Sequence, residues 1–205
     1  DAYIRLTYSR GPGPIGLDPA LCPKGTLVIM AKPMEVPEHL YRKGMSVGIC
    51  PIRRNPAEAL PPEVKSQNFL NNILAKIWAK ESNYSDAVLL STEGWVAEST
   101  VSNVFFIKDD KLFTPGLKVG LLPGITREYI LQTVRRAGIE YAEGYYTSED
   151  LFSAAEVFLT NSGSEIIPVV NIDGKIIGDG KPGIWTSKIH TLFRALVKES
   201  LGIDT

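Results

Sequence analysis

The chain has 205 residues, 44% apolar and 22% charged, with a net charge of −1. A chain of this length buries about 70% of its unfolded surface, so neither disulfide nor metal is required to hold a core together. The mixed, near-neutral charge excludes a general electrostatic footprint for nucleic acid or a membrane surface, and any anionic ligand must be held by a local set of donors.

No apolar run reaches the ~20 residues of a membrane span, and no signal peptide is visible. Cys22 and Cys50 read as unpaired small hydrophobes in a reducing compartment, so a cytoplasmic location is expected. His39 and His190 are the only histidines and there is no CxxC, so a metal site is not expected; both histidines are read as surface, capping or packing residues.

Residues 3–10 alternate as a half-buried strand before Gly11-Pro12-Gly13-Pro14 interrupts it. A strand at the very start implies that the chain begins inside a domain. Leu27–Ala31 and Met45–Cys50 are two further strands, and the polar stretch between them, Val36–Gly44, is read as a linker with a domain boundary near residue 43. After Pro61-Pro62, apolar residues at 70, 73, 74, 77 and 78 recur at helical spacing, predicting an amphipathic helix that starts just after Lys65 with Ser66 as its N-cap. Strands follow at 86–90, 95–98, 103–108 and 111–114, with Gly94 and Asp109-Asp110 as turns. Gly124 opens a second helix whose face carries Ile130, Leu131, Val134 and Ala137, and Gly138 closes it. A short helix is expected at 151–155, a strand at 157–160, a small polar turn at 161–164, two strands around Asp173-Gly174, and a long helix at 186–201. Runs of strands with interspersed helices make the class α+β. Trp78, Trp95 and Trp185 read as core.

Three local features carry chemistry, each unspecific alone. Lys65 precedes the first long helix. A lysine beside the positive end of a helix dipole has its ammonium form disfavoured, which suits Schiff-base chemistry, although an arbitrary lysine is far more often a solvated surface group. Glu98 is a carboxylate followed by small hydroxyl residues between strand segments, which suits a polar pocket or a solvated turn. Leu122-Pro123-Gly124-Ile125-Thr126 offers the free N–H groups of a helix start to an anion, and Thr160-Asn161-Ser162-Gly163-Ser164 offers a second cradle of hydroxyls and backbone N–H groups.

Their order along the chain is specific. Pro-x-x-Val-Lys-Ser-x-Asn-Phe-Leu-x-Asn, Gly-x-Val-x-Glu-Ser-Thr-x-Ser-Asn-Val-Phe, Leu-Phe-Thr-Pro, Gly-Leu-Leu-Pro-Gly-Ile-Thr-Arg and Phe-Leu-Thr-Asn-Ser with Glu-Ile-x-Pro-Val follow one another. The sequence resembles the class-IV aminotransferases from end to end, a family of fold-type IV pyridoxal-phosphate (PLP) enzymes that includes branched-chain aminotransferases, D-amino acid aminotransferases and aminodeoxychorismate lyases. The resemblance implies a D-amino acid aminotransferase-like fold, with residues 1–43 as the tail of a small N-terminal domain and 44–205 as the large cofactor domain. It implies that Lys65 carries PLP as a Schiff base and moves the proton, and that Glu98 faces the pyridine nitrogen and keeps it protonated. Ile125, Thr126 and Ser162 match the phosphate site. Asn161 and Gly163 match the turn whose N–H groups face phosphate or substrate carboxylate.

Tyr3-Ile4-Arg5 resembles the strand with which branched-chain enzymes hold the substrate carboxylate, and the Arg-x-His trap of bacterial D-amino acid enzymes is absent. Phe69 stands where some branched-chain enzymes have a tyrosine. The implied activity is transfer of an amino group from a branched-chain L-amino acid to 2-oxoglutarate, in a homodimer. Aminodeoxychorismate lyase and D-amino acid aminotransferase remain the alternatives. The family has more chain before this point, including an arginine for the cofactor phosphate, so weak cofactor binding is expected of these 205 residues alone.

Overall fold

Side-chain alternation along the first residues gives β1 (Ala2–Ser9), which pairs antiparallel with β2 (Thr26–Pro33), from Ala2 opposite Pro33 to Ser9 opposite Thr26. The computed structural model describes residues 2–34 and 38–202. The connection between the two strands is tied by Arg10, whose guanidinium donates to the carbonyls of Gly16 and Leu17 at 3.1 Å each. Gly11 has φ +91°, and a Cβ there would sit 1.9 Å from the Lys24 carbonyl oxygen, so only glycine fits.

The chain divides into two compact units, residues 1–36 and 37–205, ahead of the boundary expected near residue 43. Val36 and Pro37, where the linker was expected to begin, lie outside the described residues. The rest of that polar stretch is helical, as α1 (Glu38–Lys43). It lacks an apolar stripe, but Glu38 lies in its first turn and Arg42 and Lys43 in its last, each complementing the helix dipole.

The second unit is built on a nine-stranded sheet. β3 (Met45–Ile49), β4 (Asp86–Leu90), β5 (Val96–Ser99), β6 (Asn103–Lys108), β7 (Lys111–Pro115) and β8 (Tyr141–Gly144) follow in spatial order, and β10 (Glu165–Ile172) lies beside β3. β9 (Glu156–Asn161) pairs with both β10 and β6 and thereby closes six strands into a circuit; β11 (Lys175–Ile176) is a short edge strand. The β3–β4, β3–β10 and β7–β8 pairs are parallel and the others antiparallel.

Period-two alternation splits each strand between two cores. Val104 and Phe106 of β6 join Val47, Val88, Leu159 and Ile172 in one cluster. Phe105 and Ile107 face the other way, against α3 (Ile125–Arg136) and α5 (Ile184–Ser200). Phe105 and Phe158 stack there at 5.2 Å, a pair whose burial contributes about 1.5–3 kcal/mol per ring.

Two expectations about α2 need correcting. α2 runs from Leu70 to Glu81, with Phe69 at its N-cap position and no side-chain cap, so neither Lys65 nor Ser66 stands at its start. Residues 61–69 form tight turns instead, with Val64 N–H on the Pro61 carbonyl, Ser66 N–H on Val64 and Phe69 N–H on Gln67. Gln67 has φ +65°, which no α-helix accommodates. The helix also docks by its small face. Ala75 and Ala79 are buried against Ala87 and Leu89 of β4, while Leu70, Ile73, Leu74 and Ile77 are exposed. α4 (Ser148–Phe152) begins three residues before the predicted helix, at a Thr147–Asp150 capping box. The three tryptophans are partly buried, packed at the margins of the clusters.

Candidate active site

Glu98 lies on β5 with 5% of its surface exposed. Its Oε1 accepts from Arg54 Nε at 2.6 Å and its Oε2 accepts from the Leu122 N–H at 3.1 Å. Arg54 is itself buried and reaches Asn71 Oδ1 of α2 at 3.3 Å. Burial pushes the Glu98 carboxyl above the ordinary carboxylate range; the Arg54 charge, the Leu122 N–H and the Lys65 charge act in the opposite direction. A carboxylate oxygen has two lone pairs, so each oxygen keeps an acceptor position after these bonds.

Glu98 stands opposite Asn103 across β5–β6. Asn103 Nδ2 donates to the Leu122 carbonyl at 2.8 Å, so both peptide groups of Leu122 are fastened, one to each member of that cross-strand pair. This fixes the approach to α3. A Cβ on Gly124 would lie 2.1 Å from Asn103 Oδ1, so the glycine is there for close approach. Gly124 is the N-cap and no side chain caps the helix, which leaves the N–H groups of the first turn available to an anion. Thr126 is buried and Ile125 is exposed.

The turn after β9 is joined to the same region. Asn161 Nδ2 donates to Ser102 Oγ at 2.8 Å, in the loop between β5 and β6. Asn161 Oδ1 accepts from the Gly163 and Ser164 N–H groups at 2.8 and 2.7 Å. Here the structure differs from expectation. The Gly163 N–H, expected to face a ligand, is donated to the Asn161 side chain, because asparagine folds back on the backbone two and three residues on. Ser162 remains exposed in the turn.

A scan against family models matches "Amino-transferase class IV" over residues 1–172. The chain belongs to the class IV aminotransferases. Its relatives include a Methanocaldococcus jannaschii protein named "Putative branched-chain-amino-acid aminotransferase", 41% identical over 95% of this chain and 67% of its own length. D-alanine aminotransferase of Bacillus licheniformis is 33% identical over 92% of this chain and 64% of its own. Among solved structures, Escherichia coli branched-chain amino acid aminotransferase superposes with a TM-score of 0.90 at 31% identity, covering 95% of this chain and 64% of that one. A second branched-chain amino acid aminotransferase, solved with pyridoxamine 5'-phosphate, superposes with a TM-score of 0.89 at 29% identity, covering 99% of this chain and 66% of that one. The chain spans about two thirds of the length of these relatives.

Class IV aminotransferases are PLP enzymes, and the residues here fit that group. A buried carboxylate with free acceptor positions suits a protonated ring nitrogen. An uncapped helix start suits a phosphate. Two buried hydroxyls, Ser99 Oγ beside Glu98 and Thr160 Oγ1 opposite Asn103, have no hydrogen-bond partner, and such groups are rare unless water or a ligand satisfies them.

The structure brings Glu98, Thr126 and Asn161 together through Leu122, Asn103 and Ser102. Lys65 lies in an exposed turn, near enough for its charge to act on Glu98. Tyr3 and Arg5 lie two apart on β1, so their side chains share a face of the first unit's hairpin. Arg54 escaped the sequence analysis. It sits in the irregular stretch after β3, where no periodicity marks a buried cation, and only the pairing with Glu98 reveals it.

Proposed function

We propose that the intact protein is a PLP-dependent transaminase that takes an amino group from a branched-chain L-amino acid and passes it to 2-oxoglutarate. The observation that carries this reading is Glu98, a carboxylate buried between Arg54 and the Leu122 N–H at the approach to an uncapped helix. When bound, PLP supplies an electron sink for the carbanion formed at the substrate Cα. Lys65 holds the cofactor through its amine and shuttles the proton at Cα. Glu98, where the Arg54 charge opposes the effect of burial, holds the proton on the ring nitrogen. Ile125 and Thr126 donate to the phosphate from the first turn of α3, and Ser162 adds its hydroxyl, with Asn161 bracing the turn. Tyr3 and Arg5 receive the substrate carboxylate.

The protein acts as a homodimer in this reading, and the exposed apolar residues of α2 offer surface for association. No helix among the described residues is long and apolar enough to cross a membrane. The D-alanine aminotransferase relative makes the choice of amino donor part of the test.

The experiment is an absorbance titration of the intact protein with PLP, followed by L-leucine, D-alanine or aminodeoxychorismate. The expected result is a lysine-bound PLP band that is absent in Lys65→Ala and is bleached by L-leucine without pyruvate release. Bleaching by D-alanine alone, or pyruvate from aminodeoxychorismate, would replace the substrate assignment; no band in the wild type would remove the cofactor assignment.

A further inference from the structure

The small polar turn Asn161–Ser164 is held from a side that the site described above does not use. Glu165, the residue that ends it, has φ +52°, a left-handed conformation kept at a residue with a Cβ only where the surroundings fix it. Its surroundings do so. Glu165 Oε2 lies 2.5 Å from His190 Nε2 and accepts from Arg194 Nε at 2.7 Å. His190 and Arg194 are four residues apart on α5 and so present one face. From α1, the Tyr41 hydroxyl donates to the Ser164 carbonyl at 3.1 Å. The Tyr41 ring meets the His190 ring edge-on at 4.9 Å, and the Arg194 guanidinium lies 5.5 Å from the Tyr41 centroid. His190 bonding holds the Glu165 carboxyl below its ordinary range, against the upward push of burial. Two helices therefore place a histidine, an arginine and a tyrosine on the outer end of a four-residue turn. Asn161 fastens the inner end to Ser102.

We propose that Tyr41, His190 and Arg194 are positioning residues that hold Glu165, and through it fix the Asn161–Ser164 turn in the shape that receives the cofactor phosphate. The inference rests on the cofactor reading above. None of the three touches the cofactor; their effect is confined to the phosphate end of the ligand, because the turn they hold contributes at that end.

The test compares dissociation constants of PLP and of pyridoxal, which lacks the phosphate, for the cofactor-stripped intact protein. His190→Leu is expected to weaken PLP about five- to tenfold, the scale of losing a hydrogen bond to a charged group, while pyridoxal binding changes less than about twofold. His190→Gln, which keeps a donor toward Glu165, is expected to restore most of the PLP affinity. Tyr41→Phe removes only the hydroxyl bond to Ser164 and is expected to weaken PLP about threefold with the same selectivity. It keeps the proposal testable should His190→Leu fail to fold, with the melting temperature as the folding check. Equal losses for PLP and pyridoxal, or no loss of PLP affinity in either variant, would overturn the positioning role while leaving the cofactor reading intact. A wild type that binds neither compound overturns both.

Discussion

Replacing Gly124 with alanine places a Cβ 2.1 Å from Asn103 Oδ1 and 3.3 Å from its Cγ. The backbone itself does not object, since φ −67° and ψ 136° are open to alanine. The whole cost is steric and falls on Asn103, a buried side chain bonded to the Leu122 carbonyl. To clear the methyl group Asn103 must swing away and abandon that bond. Leaving a buried polar group unpaired costs about 1–3 kcal/mol, and forcing atoms into a packed site costs about as much again. Gly124→Ala is therefore expected to destabilise the protein by about 2–4 kcal/mol in urea unfolding. In an Asn103→Ala background the clashing oxygen is gone, and the same substitution should cost less than about 1 kcal/mol. A cost below about 0.5 kcal/mol in the wild type, or equal costs in the two backgrounds, would refute the close-approach argument for this helix start.

Arg54→Leu leaves the Glu98 carboxylate buried without its cation, at a cost of about 3–5 kcal/mol at neutral pH. Burial already raises this carboxyl and Arg54 is the leading opposing influence, so the variant takes up a proton at higher pH than the wild type. A group whose folded pKa is raised favours the folded state below its unfolded value, so the deficit should shrink as pH falls from 8 toward 5, read by urea midpoints; a pH-independent deficit would contradict it. Glu165 has the opposite sign. Its carboxyl is held low by the His190 bond, with Arg194 also lowering it, so its stabilisation is present above the unfolded value of about 4.3 and is lost as pH falls through the folded value. The gap in urea midpoint between wild type and Glu165→Gln should therefore be widest at neutral pH and close below pH ~4.

Much of the second unit was legible because its central strands are short apolar runs bounded by turn residues and its long helices carry apolar residues at helical spacing. β6 shows why: Val104-Phe105-Phe106-Ile107 is a continuous apolar run, and both of its faces are buried. Closure of the sheet was not legible, since nothing in 156–161 announces that β9 pairs with both β6 and β10. α1 was missed because a six-residue segment with only Leu40 and Tyr41 between charged ends carries no stripe, and β8 because four residues give too short a pattern.

The sequence reading sets the N-cap of α2 at Ser66, three residues ahead of Phe69, where the structure has it. Apolar spacing locates a helix but not its first residue, and the left-handed Gln67 that keeps the chain out of helix is invisible as a residue type. In the site, the sequence shows a carboxylate between strand segments at Glu98 and a glycine opening a helix at Gly124, and both stand there in the structure. Arg54, and the donation of the Gly163 N–H to Asn161, belong to side-chain geometry that no spacing encodes.

Lys65, the proposed cofactor-bearing residue, lies in a turn and not at a helix start. The most direct measurement is to load the intact protein with PLP, reduce it with borohydride and locate the modified lysine by peptide mass spectrometry. A single modification on the peptide containing Lys65, lost in Lys65→Ala, is the predicted result. Modification at another lysine, or none, would contradict the account.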